Sequence, residues 1–244
     1  GQTYQLRNTS STGDLSGTVV TSDKPVAVFG GHLCANVPVD RFFCDHLVEQ
    51  LPPTDTWGES FVTMPLATRV GGDTFRFLAS TDDTTVTVNG GPPVALDRGQ
   101  VHEQIVVGAA VIEASDPILV AQYSNSSNFD GVTSDPFMML IPPFEQYLAD
   151  YTITTPAVVF TTTNFVNVVA PAAAVGSITL DNVAIPAGAF TPIGATGFSG
   201  AQVPVTQGSH RLQGQLPFGV HSYGFAAFDS YGYPGGASFS PVAV

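Results

Sequence analysis

Positive charge is what this sequence has least of. Its 244 residues include 7 lysines and arginines against 20 acidic residues, a net charge of -13, and Lys24 is the single lysine. So few cations cannot track a phosphate backbone or hold an anionic membrane surface, which excludes nucleic acid and electrostatic membrane attachment as expectations. Charged residues of either sign make up only 11% of the chain, against a usual share of about 25%. The polar surface therefore falls to Thr, Ser, Asn and Gln, a composition typical of secreted β-proteins and less so of cytosolic enzymes. No apolar run reaches the roughly 18 residues that read as a membrane-spanning helix, so no membrane insertion is expected. No signal peptide is visible, and the chain opens at Gly1 without a methionine, so the expectation is a processed protein or an excised segment. The G-x-S-x-G, H-E-x-x-H, Walker A and dinucleotide fingerprints are all missing. Helical periodicity is nearly missing as well. Its best candidate is Arg41–Gln50, stopped by Pro52 and Pro53.

What is present is alternation. Hydrophobic residues make up 43% of the chain, enough for a real core. Period-2 patterns rich in Val, Ile, Thr and Phe predict strands at Thr18–Ser22, Pro25–Gly30, Ser60–Met64, Phe75–Ala79, Thr84–Asn89, Val101–Val107, Ala110–Ala114 and Ile118–Tyr123. They predict a further set at Thr152–Thr155, Phe165–Ala170, Ser177–Leu180, Ala201–Thr206, Ser209–Gln213 and Gly219–Ala226. Turn signals such as Asn89-Gly90-Gly91 and Asp181-Asn182 separate them. The expected fold class is all-β, with tandem β-sandwich-like repeat units packed together and little or no helix.

The two sets repeat each other. Leu51-Pro52-Pro53 is echoed by Ile141-Pro142-Pro143; Trp57, Phe61 and Phe75 match Tyr147, Tyr151 and Phe165 at an offset of 90. Gly108, Pro117 and Tyr123 match Gly208, Pro217 and Tyr223 at an offset of 100. The drift fits an insertion near the Gly-rich run Gly194 to Gly200, which reads as a loop. Ser115-Asp116-Pro117-Ile118-Leu119-Val120 also has an earlier relative at Ser22 to Val28. The expected organisation is the back half of a first unit with a cysteine loop (1–50), then a second unit (51–140) and a third (141–244). Repeat scaffolds more often bind than catalyse.

Cys34 and Cys44, the only cysteines, read as one disulfide in a secreted-looking chain. With His32 and His46 they could instead form a zinc site, but the usual C-x₂₋₄-C spacing is missing. A cysteine nucleophile with a His base, oriented by Asp45 or Glu49, is a further reading; a second cysteine nearby consumes the thiol in an oxidising compartment. No cofactor is expected beyond a candidate Ca²⁺ site drawn from Asp82, Asp83, Asp130 and Asp135, for which turn-forming aspartate is the favoured alternative. The candidate ligand contacts are Asn36, Asp40 and Arg41 in the cysteine loop, Asn125 and Asn128 in the polar loop Ser124–Asp135, and Tyr231 and Tyr233 near the end. Asn8-Thr9-Ser10 and Asn125-Ser126-Ser127 fit the N-glycosylation acceptor pattern.

One stretch is more specific than composition. Ser22-Asp23-Lys24-Pro25-Val26-Ala27-Val28-Phe29-Gly30-Gly31-His32-Leu33-Cys34 is followed by Cys44-Asp45-His46-Leu47-Val48-Glu49-Gln50-Leu51-Pro52-Pro53 and then by Trp57-Gly58-Glu59-Ser60-Phe61. This resembles the N-terminal domain family of the IgG Fc-binding protein. The resemblance implies a secreted module of a larger mucus or surface protein with a role in binding or adhesion. The expected function is a non-catalytic extracellular module recognising a protein or glycan ligand through its loops. One rival is a structural, self-associating subunit of a matrix or filament. It would assemble by strand exchange through the incomplete first unit and the apolar C-terminal strand expected at Ser238–Val244. The other is a glycan-active enzyme, which needs two carboxylates about 5–10 Å apart in a cleft.

Overall fold

The computed structural model describes residues 1–10, 13–157 and 163–242. Seventeen strands and four short 3₁₀ turns account for its regular structure. The first complete unit, called the first unit from here on, holds β3 (Gly58–Thr63), β4 (Asp73–Ala79), β5 (Thr84–Val88), β6 (Val94–Leu96), β7 (Val101–Val106), β8 (Ala110–Tyr123) and β9 (Met138–Ile141) in one seven-stranded sheet. A second holds β10 (Leu148–Thr154), β11 (Asn164–Pro171), β12 (Thr179–Leu180), β13 (Val183–Ala184), β14 (Thr191–Pro192), β15 (Phe198–Val205), β16 (Ser209–Ala226) and β17 (Asp229–Pro234). Ahead of both stands a two-stranded sheet of β1 (Val28–Ala35) and β2 (Asp45–Leu51).

Each unit is built around one long bent strand. The first half of β8 pairs with β3 and β5, and its second half with β4 and β9. Between the halves the register against β3 jumps, so that Gly58 faces Ile118 while Ser60 faces Glu113. Pro117 sits in that jump, where no ladder hydrogen bond is asked of it. In the second unit β16 does the same against β10. Leu148 faces Phe218, Asp150 faces Gln213, and Pro217 lies between. The bend folds the sheet into two facing layers, a sandwich. Phe61, Phe75, Phe77, Val86, Ile112, Ile118 and Val120 fill the first interior. Tyr151, Ile153, Val166, Val168, Leu212 and Phe218 fill the second. The all-β, sandwich-like fold class therefore stands.

The repeat is closest where the strands pair. Phe61 faces Ile112 and Tyr151 faces Leu212, in keeping with the offsets of 90 and 100. It slips at the next strand. Thr74 faces Tyr123, yet Phe165 faces Tyr223, so Phe165 takes the place of Thr74 rather than Phe75. A one-residue slip moves a side chain to the other face. Phe75 points into its own interior, whereas Phe165 packs against the core of the neighbouring unit. The extra length of the second copy is the 3₁₀ turn Ala187–Ala189 with β14, which pairs with β15.

Three local expectations are corrected. Arg41–Gln50 holds no helix; its second half is β2, because pairing with β1 satisfies the backbone and a short isolated helix has a costly nucleus. Thr18–Ser22 alternates like a strand and is not one. Its counterpart in the repeat, the first half of β8, is held by β3 and β5, and among the described residues no strand pairs with 18–22. Residues 238–242 form no strand either, and 243 and 244 lie outside the described residues. This segment instead joins the 3₁₀ turns before β3 and β10, with Ser238 N–H donating to Gln146 O and Val242 N–H to Asp55 O, each at 2.9 Å.

The two units share a seam. Tyr223 of β16 lies in the core of the first unit, beside Leu66, Ala67 and Phe137. Its hydroxyl accepts from Ala67 N–H at 2.9 Å and donates to Asn167 Oδ1 at 2.8 Å. Asn167 and Gln202 in turn donate to Pro65 O at 2.9 and 2.7 Å. A second apolar layer, Val62, Tyr147, Val169 and Ile193, extends the joint.

Candidate functional site

The departures from the repeat gather at one end of the first unit. β1 and β2 lie against the outer face of β8 and β9, where Val37 and Leu47 pack on Ala121, Tyr123 and Leu140. Close approach of the two strands requires Gly31, since a Cβ there would sit 2.4 Å from Leu47 O. Cys34 and Cys44 are joined in a disulfide and close the loop between the strands.

That loop rests on a second one, residues 124–135. Ser126 and Val37 exchange hydrogen bonds, the Val37 N–H donating to Ser126 Oγ at 3.0 Å and the Ser126 N–H to Val37 O at 2.7 Å. Phe42 N–H donates to Asn128 Oδ1 at 2.7 Å, and the Arg41 guanidinium lies 5.7 Å from the Phe129 ring. The lower loop is itself fixed from beneath by Arg69. Arg69 Nε and Nη2 donate to the two oxygens of Asp130 at 2.7 and 2.9 Å, Nη1 donates to Ser124 and Ser134, and Nη2 also donates to Asn125 O. The two side chains are 1% and 2% exposed, so this is a buried, fully hydrogen-bonded ion pair whose removal from one side is costly.

On this platform the apolar side chains face outward. Val39 is 82% exposed, Phe42 67%, Phe43 52% and Phe228 66%. Phe228 comes from the turn between β16 and β17, and its ring centroid lies 6.4 Å from that of Phe43. Both residues have left-handed backbone, with φ of 77° at Phe43 and 57° at Phe228. That conformation costs a bulky residue about 1–2 kcal/mol. Asp45 and Asp229 lie near enough to Asp135 to raise its carboxyl pKa further than burial alone does. An apolar centre with an acidic border results.

The sequence-derived candidates separate into three groups. Asp40 is exposed and Asn36 and Arg41 are half-buried on the disulfide-closed loop, while Asn128 binds that loop from below. Asn125 is different: it is 2% exposed, accepts from Thr74 Oγ1 at 2.6 Å and donates to Gly72 O at 2.9 Å. It holds the platform together and is closed to both a ligand and a glycan. Tyr231 and Tyr233 are half-buried on β17, hydrogen-bonded to Asn164 and to Thr154 respectively.

The calcium candidates do not converge. Asp130 is taken by Arg69, Asp82 accepts from Arg98 N–H at 3.0 Å, and Asp83 is a turn residue with φ 57°. Among the described residues no three His, Cys, Asp or Glu side chains gather in a metal-binding group. Two clefts flank the seam. One, about 290 Å³, runs along residues 65–73 with Asp73 as its one carboxylate; the other, about 530 Å³, lies between Thr68, Val132, Thr163 and Phe225. Burial pushes Asp73 up to about 6, and burial alone pushes Glu49, on β2, up to about 7. His221 is buried and lowered to about 4 by desolvation. The sequence marks the loop 35–43 and the aromatic stretch Tyr223, Phe225, Phe228, Tyr231 and Tyr233 as contact regions, but it does not single out Val39, Phe42 and Phe43 within the loop. The available signal was an aromatic pair placed in a loop between two cysteines.

Fold and site together define a tandem-unit β-sandwich module that carries an aromatic face on a disulfide-closed loop. The IgGFc binding protein family model matches residues 1–224, and the chain belongs to that family. The human IgGFc-binding protein is 30% identical over 238 residues, which is 94% of this chain and 4% of that protein. The chain thus spans a small fraction of its curated relative. No solved structure matches it. No helix among the described residues is long and apolar enough to cross a membrane.

Proposed function

We propose that the chain is a non-catalytic extracellular binding module that takes a protein ligand on the face formed by Val39, Phe42, Phe43 and Phe228. The observation that carries this reading is the pair Phe43 and Phe228. Both are exposed, both face each other and both hold a strained backbone. Folding gains little from exposed phenylalanine, whereas aromatic anchors on a rigid base are what interfaces use. Asp40, Asp45 and Asp229 border this face and favour a partner with basic residues around an apolar patch. In this reading residues 1–50 carry the contact loop, 51–140 form the platform beneath it, and 141–244 supply Phe228.

The human relative's name makes the Fc portion of IgG the first protein to test. Immobilised Fc is expected to retain the chain, and the double variant Phe43→Ala, Phe228→Ala is expected to lose at least about tenfold in affinity, a 1.4 kcal/mol effect. Deglycosylated Fc is expected to bind equally. Loss of binding on deglycosylation would make the ligand a glycan, and equal binding by the double variant would place the contact elsewhere.

A further inference from the structure

The sheet of β1 and β2 is the same piece of the repeat as the second half of β8 with β9 and of β16 with β17. Val28 faces Leu51 and Phe29 faces Gln50, as Val120 faces Ile141 and Ala121 faces Leu140. The other edge of that strand is occupied in each complete unit. β4 lies antiparallel along β8 from Thr74 opposite Tyr123 to Ala79 opposite Ile118, and β11 lies along β16 from Asn164 opposite Gly224 to Val169 opposite Gly219. Among the described residues β1 pairs with β2 alone. Phe29 stands where Ala121 stands, yet it is 63% exposed against 6%, and Leu33 is 73% exposed.

Edge strands are ordinarily blunted by lysine, proline, charge or shortness. β1 is eight residues, Val-Phe-Gly-Gly-His-Leu-Cys-Ala, with no lysine, proline or acid. It has the composition of an interior strand at the position of an edge. We propose that the free edge of β1 accepts an antiparallel strand of the β4 kind, donated by a part of a neighbouring repeat unit that is not already paired within its own sheet. The repeat itself favours this occupant, because both complete units place such a strand there. A second copy of the chain has its own β4 and β11 already paired on both edges. The human relative extends far beyond the matched stretch, which is 4% of it. This inference stands apart from the ligand-binding reading.

The test extends the chain ahead of Gly1 with a second copy of Gly72–Ser80, and a control carries the same residues in scrambled order. Tethering supplies the strand at high effective concentration. Hydrogen exchange at Val28–Ala35 is expected to slow by about tenfold or more in the first and not in the second, with β8 unchanged. Equal exchange in the two would overturn the proposal. So would protection of β1 that rises with concentration in the unextended chain, since a second copy would then be the occupant. Fc binding enters neither outcome.

Discussion

β1 and the second half of β8 are one piece of sequence pattern with two fates. In β8 the residues from Ile118 to Tyr123 have strands on both edges, and all but Leu119 are buried. In β1 the residues from Val28 to Ala35 have a strand on one edge, and none is fully buried. The alternation that makes a strand is local. Whether the strand becomes core depends on neighbours that the alternation does not contain. The body of the molecule is therefore held by mutual burial, whereas the β1–β2 hairpin is held by a disulfide, one apolar face and the platform of residues 124–135.

That contrast can be broken most forcefully from below. Arg69→Met leaves Asp130 charged and buried without its partner, and should cost about 3–5 kcal/mol in urea denaturation. If hairpin exchange does not also quicken, the platform is not what supports it. Next comes the clasp. Cys34→Ser should cost the hairpin roughly 2–3 kcal/mol of local stability and leave the unfolding midpoint of the body nearly unchanged, read by hydrogen exchange and by heat. A body that melts earlier would show that hairpin and body fold as one.

A smaller effect is pH. Glu49 lies in the hairpin with its carboxyl raised to about 7 from an ordinary 4.5, so the folded hairpin holds a proton that the free chain releases. Docking should strengthen as pH falls from about 7 towards 4.5 and weaken as pH rises again. In the body Asp73 acts in the same direction, while His221, lowered to about 4, acts in the opposite one and loses stability as pH falls below 6.5. Glu49→Gln should flatten the pH dependence of β2 exchange, after correction for intrinsic rates, and leave that of β4 as it was. The smallest expected change is Phe228→Asn, which eases a left-handed residue and should raise stability by about 0.5–1 kcal/mol in denaturant. A loss instead would mean that Phe228 serves the fold.

The sequence carried the architecture further than the site. Offsets of 90 and 100 place Phe61 and Tyr151, and Pro117 and Pro217, in equivalent positions, because pairing and bulges follow from local alternation and from proline's missing donor. The offset misleads at Phe165, where matching aromatics conceal a slip of one residue. Asn125 looked like a surface contact because polar loops usually are, and only the fold shows Thr74 and Gly72 beneath it. Phe43 and Phe228 are 185 positions apart and meet only after the two units close on each other.

Tyr223 gives that closure a mechanical meaning. Its ring is planted in one unit's interior while its strand belongs to the other, and its hydroxyl links Ala67 to Asn167. Drawing the units away from each other would expose an aromatic ring and break both of those hydrogen bonds at the same instant. Under tension along the chain the pair should act as a single stiff link, and a pulling experiment should record one rupture where two independent beads would give two.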